Sequence, residues 1–233
     1  MPAHVIDLLL LPGLTNDARV WQGVAERLAD VATVHVGDLR TADTMTALAD
    51  DVLAKAPARF ALAGLSMGGY CALEIVARAP ERVLALGLVD TSARPDTPEG
   101  RANREKQIAR APAELTIIVE ELLPKWVHPG RLDDHAVADI VRAMARDVGA
   151  DAFARQQRAI MSRADSRPRL AAIRCPTVVV CGREDALLPL EVHEEMAHGI
   201  PGAKLRVIEA CGHLAPLERP ADVAAALREL LDK

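Results

Sequence analysis

The sequence predicts an α/β fold: a parallel sheet of six strands covered by helices on both faces, with a helical segment inserted once. Three observations carry this expectation. Six short runs are apolar almost without interruption, the pattern of strands buried on both faces rather than one. Segments of helical periodicity separate those runs, as a parallel sheet requires, because parallel neighbours are joined by crossovers. The alternation lapses only between residues 99 and 163.

In chain order, the first strand reads VIDLLLL from Val5 and stops at Pro12-Gly13. Helix Ala18–Ala29, the strand VATVHV from Val31 and helix Thr44–Lys55 follow. The strand RFALAGL from Arg59 turns straight into helix Met67–Ala79, which is apolar nearly all round. Its exceptions, Glu74 and Arg78, are spaced as an i,i+4 pair on one wet edge. VLALGLV from Val83 is the fourth strand. From Glu99 to Arg163 there is no strand pattern, only four helical stretches punctuated by Pro112, Pro124 and Pro129. TVVVCG from Thr177, helix Leu190–Ala197, KLRVIEA from Lys204 and helix Asp222–Leu231 restore the alternation. The expected organisation is a core of residues 1–98 and 164–233, interrupted by a helical cap at 99–163.

Composition narrows the function. Half of the 233 residues are hydrophobic, enough for a large core. The net charge is -5 and aromatic residues are 2%, so neither a basic groove nor base-stacking rings are available, and nucleic-acid binding is excluded. The apolar run near the N-terminus has no Lys or Arg before it and is too short for a signal peptide or a membrane span. Four scattered cysteines without CxxC pairing read as reduced thiols. A cytoplasmic protein without membrane contact is expected.

Chemistry centres on Gly64-Leu65-Ser66-Met67-Gly68, a GxSxG sequence with a strand before it and a helix after. A nucleophile on that hinge needs a strained backbone so that its side chain projects clear of the sheet. Residues two before and two after must be glycine-like, since a Cβ would collide across the turn. Gly69 lets the helix pack close. The order is not GxGxxG and no Lys follows, so dinucleotide and P-loop readings fail. Serine alone is a poor nucleophile and needs a base. His213 in EACGHLAPLERP lies just past the last strand, and Asp185 in VVVCGREDALLP just past the strand before it. Both fall at the sheet edge where Ser66 emerges and where open α/β sheets bind ligands.

GLSMGG, GREDALLP and GHLAPLERP, in the chain order Ser…Asp…His, resemble the α/β-hydrolase superfamily over essentially the full length. Within it they are similar to small ester hydrolases and 3-oxoadipate enol-lactonases. The resemblance implies a mostly parallel sheet, here six-stranded because the usual N-terminal hairpin is missing, with the insertion as its cap. It implies Ser66 as nucleophile, His213 as base, Asp185 as the acid that orients it, and the Leu14 and Met67 N–H groups as oxyanion donors. Pro12-Gly13 stands where the family usually has His-Gly. No cofactor or metal is implied.

Other features of the sequence compete with this set. HEEMAH, His193 to His198, places its second His one position late for a zinc helix; five residues turn a helix by about 500°, which leaves the rings roughly 140° apart, so a solvated face is expected. Asp90, ending the fourth strand, could serve as the acid, but Asp185 is favoured and Asp90 is expected to order the cap entrance. Cys181 and Cys211 read as buried thiols. Trp126 and His128 in the cap are candidate pocket residues. Glu218 is expected to steady the loop carrying the base, and Pro220 to precede the final helix. The cap is nearly charge-balanced, so Arg101, Arg104 and Arg131 read as solvated surface with Asp133 and Asp134 beside them. The expected protein is a cytoplasmic serine hydrolase of small neutral esters or lactones. Enol-lactone hydrolysis, C–C bond hydrolysis and slow-turnover ligand sensing are the alternatives.

Overall fold

The computed structural model describes residues 6–231; Val5, the expected start of the first strand, lies outside the described residues. The strands are β1 (Ile6–Leu11), β2 (Ala32–Val36), β3 (Phe60–Leu65), β4 (Val83–Val89), β5 (Thr177–Gly182) and β6 (Lys204–Ile208). They form one sheet in the order β2-β1-β3-β4-β5-β6. Every pairing is parallel, so the expected "mostly parallel" sheet is wholly parallel among the described residues.

Helices alternate with the strands as the pattern predicts. α1 (Gln22–Leu28) follows a 3-10 turn at Ala18–Trp21, and α2 (Met45–Lys55) is capped by the Thr44 hydroxyl, which accepts from Ala47 N at 3.2 Å. α3 (Met67–Arg78) starts directly at Ser66. The insertion is two long helical runs, α4 (Pro98–Trp126) and α5 (His135–Ser162), each broken once. α6 (Leu190–Gly199), the one-turn α7 (Ala215–Glu218) and α8 (Pro220–Leu231) complete the chain, with Pro220 inside the last helix as its first residue.

Strand side chains alternate between two cores. Leu8 and Leu10 point to the face covered by α1 and α8, packing with Trp21, Val24, Val223 and Leu227. Leu9 and Leu11 point to the other, with Leu48, Val52, Ile75 and Met196 from α2, α3 and α6. β3 is buried throughout, whereas the edge strands β2 and β6 are only partly covered, because each lacks a neighbour on one side. On β6 the cations Lys204 and Arg206 both reach Glu229.

The insertion has the expected four helical stretches, grouped in two pairs, because a non-helical residue divides each long run: Glu114 in α4 and Gly149 in α5. Pro112 stands two residues before the break in α4, whereas Pro124 lies within its second stretch without interrupting it. Proline removes a backbone donor and crowds the preceding turn, and the helix is broken at Glu114 (φ -130°, ψ 19°), two residues after Pro112. α5 bends at Gly149 (φ 76°, ψ 167°), a left-handed position suited to glycine. Pro129 opens the 3-10 turn Pro129–Arg131 between the two helices.

Candidate active site

Ser66 has φ 52° and ψ -113°, a conformation rare for any residue with a side chain. Such strain costs on the order of 1–3 kcal/mol and persists only where the surroundings enforce it. Here Ser66 N donates to Val89 O at 2.9 Å, and Thr91 Oγ1 donates to Ser66 O at 2.8 Å. The glycines have separate reasons. A Cβ on Gly64 would lie 2.2 Å from Gly68 O, the collision across the turn that the sequence predicts. A Cβ on Gly68 would instead strike Leu11 O at the end of β1, at 2.2 Å, and one on Gly69 would strike Thr91 Oγ1 at 2.3 Å. Glycine therefore lets α3 start against its neighbouring strands as well as letting the chain turn.

Three loops at the carboxyl edge of the sheet bring Ser66, His213 and Asp185 into one chain of hydrogen bonds. His213 Nε2 lies 2.9 Å from Ser66 Oγ, and His213 Nδ1 lies 2.7 Å from Asp185 Oδ2. Asp185 Oδ1 accepts from Leu187 N at 2.8 Å and Leu188 N at 3.0 Å. Burial by itself raises the Asp185 carboxyl, but the charge and hydrogen bond of His213, with those two N–H groups, outweigh it and hold the group below its ordinary value. The His213 loop is fixed from the insertion, since His213 N and Leu214 N both donate to Trp126 O at 3.0 and 3.1 Å. Glu218 steadies the same loop, as expected: its carboxylate accepts from Gly212 N at 3.0 Å and His128 N at 2.8 Å.

Asp90 does not lie at a cap entrance. It is fully buried, and its two oxygens accept from Gly182 N at 2.9 Å and Ala215 N at 3.1 Å, strapping the Asp185 loop to the His213 loop. Burial, and then the nearby Asp185 charge, push its carboxyl well above the ordinary range. The HEEMAH expectation needs a correction at one end. His198 is exposed, but His193 is wholly buried, as the angular offset of two such rings permits. Burial pushes His193 down to about 4, so it is neutral in the fold, and its Nε2 has no partner. Asp90, Asp185 and His193 each bring a donor atom within 4.8 Å of the others, yet all four carboxylate oxygens already accept hydrogen bonds. Cys181 and Cys211 are buried free thiols, and burial raises Cys181 to about 12.

Gly13 packs against the elbow, its Cβ direction ending 3.5 Å from Ser66 Cβ, so Leu14 follows beside the serine. Met67 N opens α3, where no preceding carbonyl of the helix can receive it. Thr15, at φ 58°, donates its N–H to Gln156 Oε1 of α5 at 3.0 Å, so the insertion also holds this loop.

A cavity of about 280 Å³ opens over Ser66 and His213, between Leu14 and Trp126 and beneath α4 and α5. Trp126 lines it as expected, but His128 does not: its Nδ1 accepts from Gly130 N at 3.0 Å, and its backbone is tied to Glu218. Of the cap arginines, Arg104 reaches the cavity, Arg101 donates to Met161 O, and Arg131 pairs with Asp134 at 3.6 Å. A larger hollow of about 850 Å³ lies at the opposite end of the strands, by Arg59, Val83 and Cys175, far from this chemistry. Sequence reasoning missed Gln156, Asp96 and Arg163, polar residues of helix and loop that carry no motif. No described helix is long and apolar enough to cross a membrane.

The wholly parallel sheet, the serine elbow and the helical insertion after β4 define an α/β-hydrolase. The chain belongs to the alpha/beta hydrolase family, whose profile matches residues 8–226. It is 25% identical to the pimeloyl-[acyl-carrier protein] methyl ester esterase of Nitrosomonas europaea, over 92% of this chain and 91% of that protein. A protein of the same name from Neisseria meningitidis serogroup B is 29% identical over 97% and 93%. A malate-bound thermophilic esterase from Thermogutta terrifontis superposes with a TM-score of 0.89 at 33% identity, over 97% of this chain and 89% of that one. The enol-lactonase of Burkholderia xenovorans LB400 reaches 0.89 at 24% identity, over 99% and 92%, which speaks for the fold alone.

Proposed function

We propose that the protein is a serine hydrolase of small carboxylic esters, with residues 99–163 as the cap over a core of 1–98 and 164–233. The observation that carries this reading is the hydrogen-bonded chain Ser66–His213–Asp185 at 2.9 and 2.7 Å, set on a strained elbow at the floor of a small cavity. Ser66 Oγ attacks the ester carbonyl while His213 Nε2 takes its proton, and Asp185 holds the imidazole in the tautomer that leaves Nε2 free to accept. The N–H groups of Leu14 and Met67 receive the oxyanion. His213 then returns the proton to the departing alcohol, leaving an acyl group on Ser66. Water, deprotonated by the same imidazole, releases the acid. The curated relatives named as methyl ester esterases and the solved esterase support an ester over a lactone or a C–C bond.

The test is covalent. A fluorophosphonate should add one label, on the peptide containing GLSMGGY, and Ser66→Ala should lose both label and turnover. Retained turnover in the alanine variant would end the reading.

A further inference from the structure

The cavity over Ser66 is mixed in character. Leu14, Leu122, Trp126, Ile160, Leu187 and Leu188 supply apolar walls, but its charged lining is three cations, Arg104, Lys125 and Arg163, against the single carboxylate of Asp96. The near balance of charge along the whole insertion conceals this, because the acids of α4 and α5 face outward. Glu120, Glu121 and Asp139, for example, pair with arginines on exposed surface.

The two guanidinium groups are held in place rather than waving in solvent. Asp96, whose side chain is 4% exposed, takes Arg104 Nε at 3.2 Å and Arg163 Nη1 at 3.1 Å. Arg163, with 10% of its side chain exposed, also donates to Arg94 O at 3.0 Å and Ile160 O at 2.9 Å, and lies 4.5 Å from the centre of the Tyr70 ring. Arg104 Nη1 donates to Gln157 Oε1 at 2.6 Å. On both residues Nη2 has no hydrogen-bond partner among the described residues, and Lys125 has no carboxylate within ion-pair distance among them. One carboxylate cannot neutralise two guanidiniums, so positive charge is left over in a partly desolvated place, where it is costly without a counter-ion. Arginine forks that are already oriented suit a planar carboxylate, since little side-chain freedom remains to be lost on binding.

We infer that the substrate is a half-ester: a short ester carrying a second, free carboxylate, which Arg104 and Arg163, with Lys125, receive while Ser66 faces the ester carbonyl. This rests on the serine-hydrolase reading and sets aside the expected preference for neutral esters. A cavity near the lower end of the usual range for ligand sites limits the chain between the two groups to a few carbons.

The experiment compares three methyl esters of matched length: monomethyl glutarate, its neutral amide counterpart methyl 5-amino-5-oxopentanoate, and methyl pentanoate, with acid release followed by titration. The half-ester should exceed both neutral esters in kcat/KM by about tenfold or more. The ratio of half-ester to amide should shrink several-fold in Arg104→Gln and in Lys125→Gln. Lys125 is exposed, so the second variant keeps the test open if the first folds poorly. Equal turnover of all three esters, or a ratio untouched in both variants, overturns the inference and leaves the ester reading standing. As a check independent of turnover, glutarate should slow fluorophosphonate labelling of Ser66 at lower concentration than pentanamide, and equal protection counts against the carboxylate site. Absence of labelling at Ser66 sinks the ester reading itself.

Discussion

Replacing Asp90 with asparagine separates its role as a strap from the role of Asp185. Both Asp90 oxygens accept backbone N–H groups, from Gly182 and Ala215. An amide offers one acceptor, so in either orientation its NH2 faces one of those donors, leaving a buried N–H unpaired. That penalty is about 1–3 kcal/mol. For a domain of this size each kcal/mol moves the midpoint by roughly 2–4 °C, so a fall of several degrees is expected. The pH dependence supplies the sharper signature. Asp90 is raised above its ordinary value by burial, and then by Asp185, so over the interval above that value the folded state keeps a proton that the unfolded chain has lost. Stability from this group therefore declines as pH rises, while the asparagine variant has no such term. Thermal unfolding of both proteins at pH 5 and pH 8 should show the wild type's advantage larger at the lower pH. An advantage that grows with pH, or none at either, would refute the strap and the neutral carboxyl together.

Three further outcomes are expected. Asp185→Asn should lose on the order of 10⁴ in kcat, the usual cost of losing the group that sets the histidine tautomer, and Asp90→Asn should lose less; the reverse ranking in steady-state kinetics would move the acid to β4. His193 is held down at about 4 against 6.5 when unfolded, so the unfolded chain binds a proton that the fold refuses, and stability should drop by up to about 3 kcal/mol as pH falls through that window. Urea titrations at pH 7 and pH 4.5 should show that drop in the wild type and a smaller one in His193→Gln; equal drops would clear His193. Gly68→Ala places a methyl group 2.2 Å from Leu11 O, a backbone atom with little room to retreat, so it should destabilise by about 1–3 kcal/mol and suppress fluorophosphonate labelling, whereas normal labelling would show that the elbow tolerates the shift.

The core was legible in the sequence because its signals are local. Continuous apolar runs separated by helical periods identify strands buried on both faces, and β4 and β5 begin and end where the runs do. The elbow was legible because steric necessity writes glycine beside serine. What stayed hidden depends on pairs of residues far apart in the chain. Asp96 and Arg163 are ordinary charged residues until the fold brings them to 3.1 Å beside the serine. His193 reads as surface in a polar helix because nothing local says which of two histidines turns inward.

The carbonyl of Trp126 receives the N–H groups of both His213 and Leu214, and Glu218 grips the very next turn of the insertion at His128. The turn that joins α4 to α5, midway along the insertion, is thereby bolted to the loop that carries the imidazole. In the proposed hydrolase, lifting that turn would drag the imidazole off Ser66, so opening there and keeping the alignment are mutually exclusive. The bends at Glu114 and Gly149 lie away from that anchorage, roughly half-way along each long helix. Each arm of the insertion thus joins the core at one end and, through their shared turn, the His213 loop at the other; for the proposed hydrolase that leaves Glu114 and Gly149 as the places where the insertion gives without moving the imidazole.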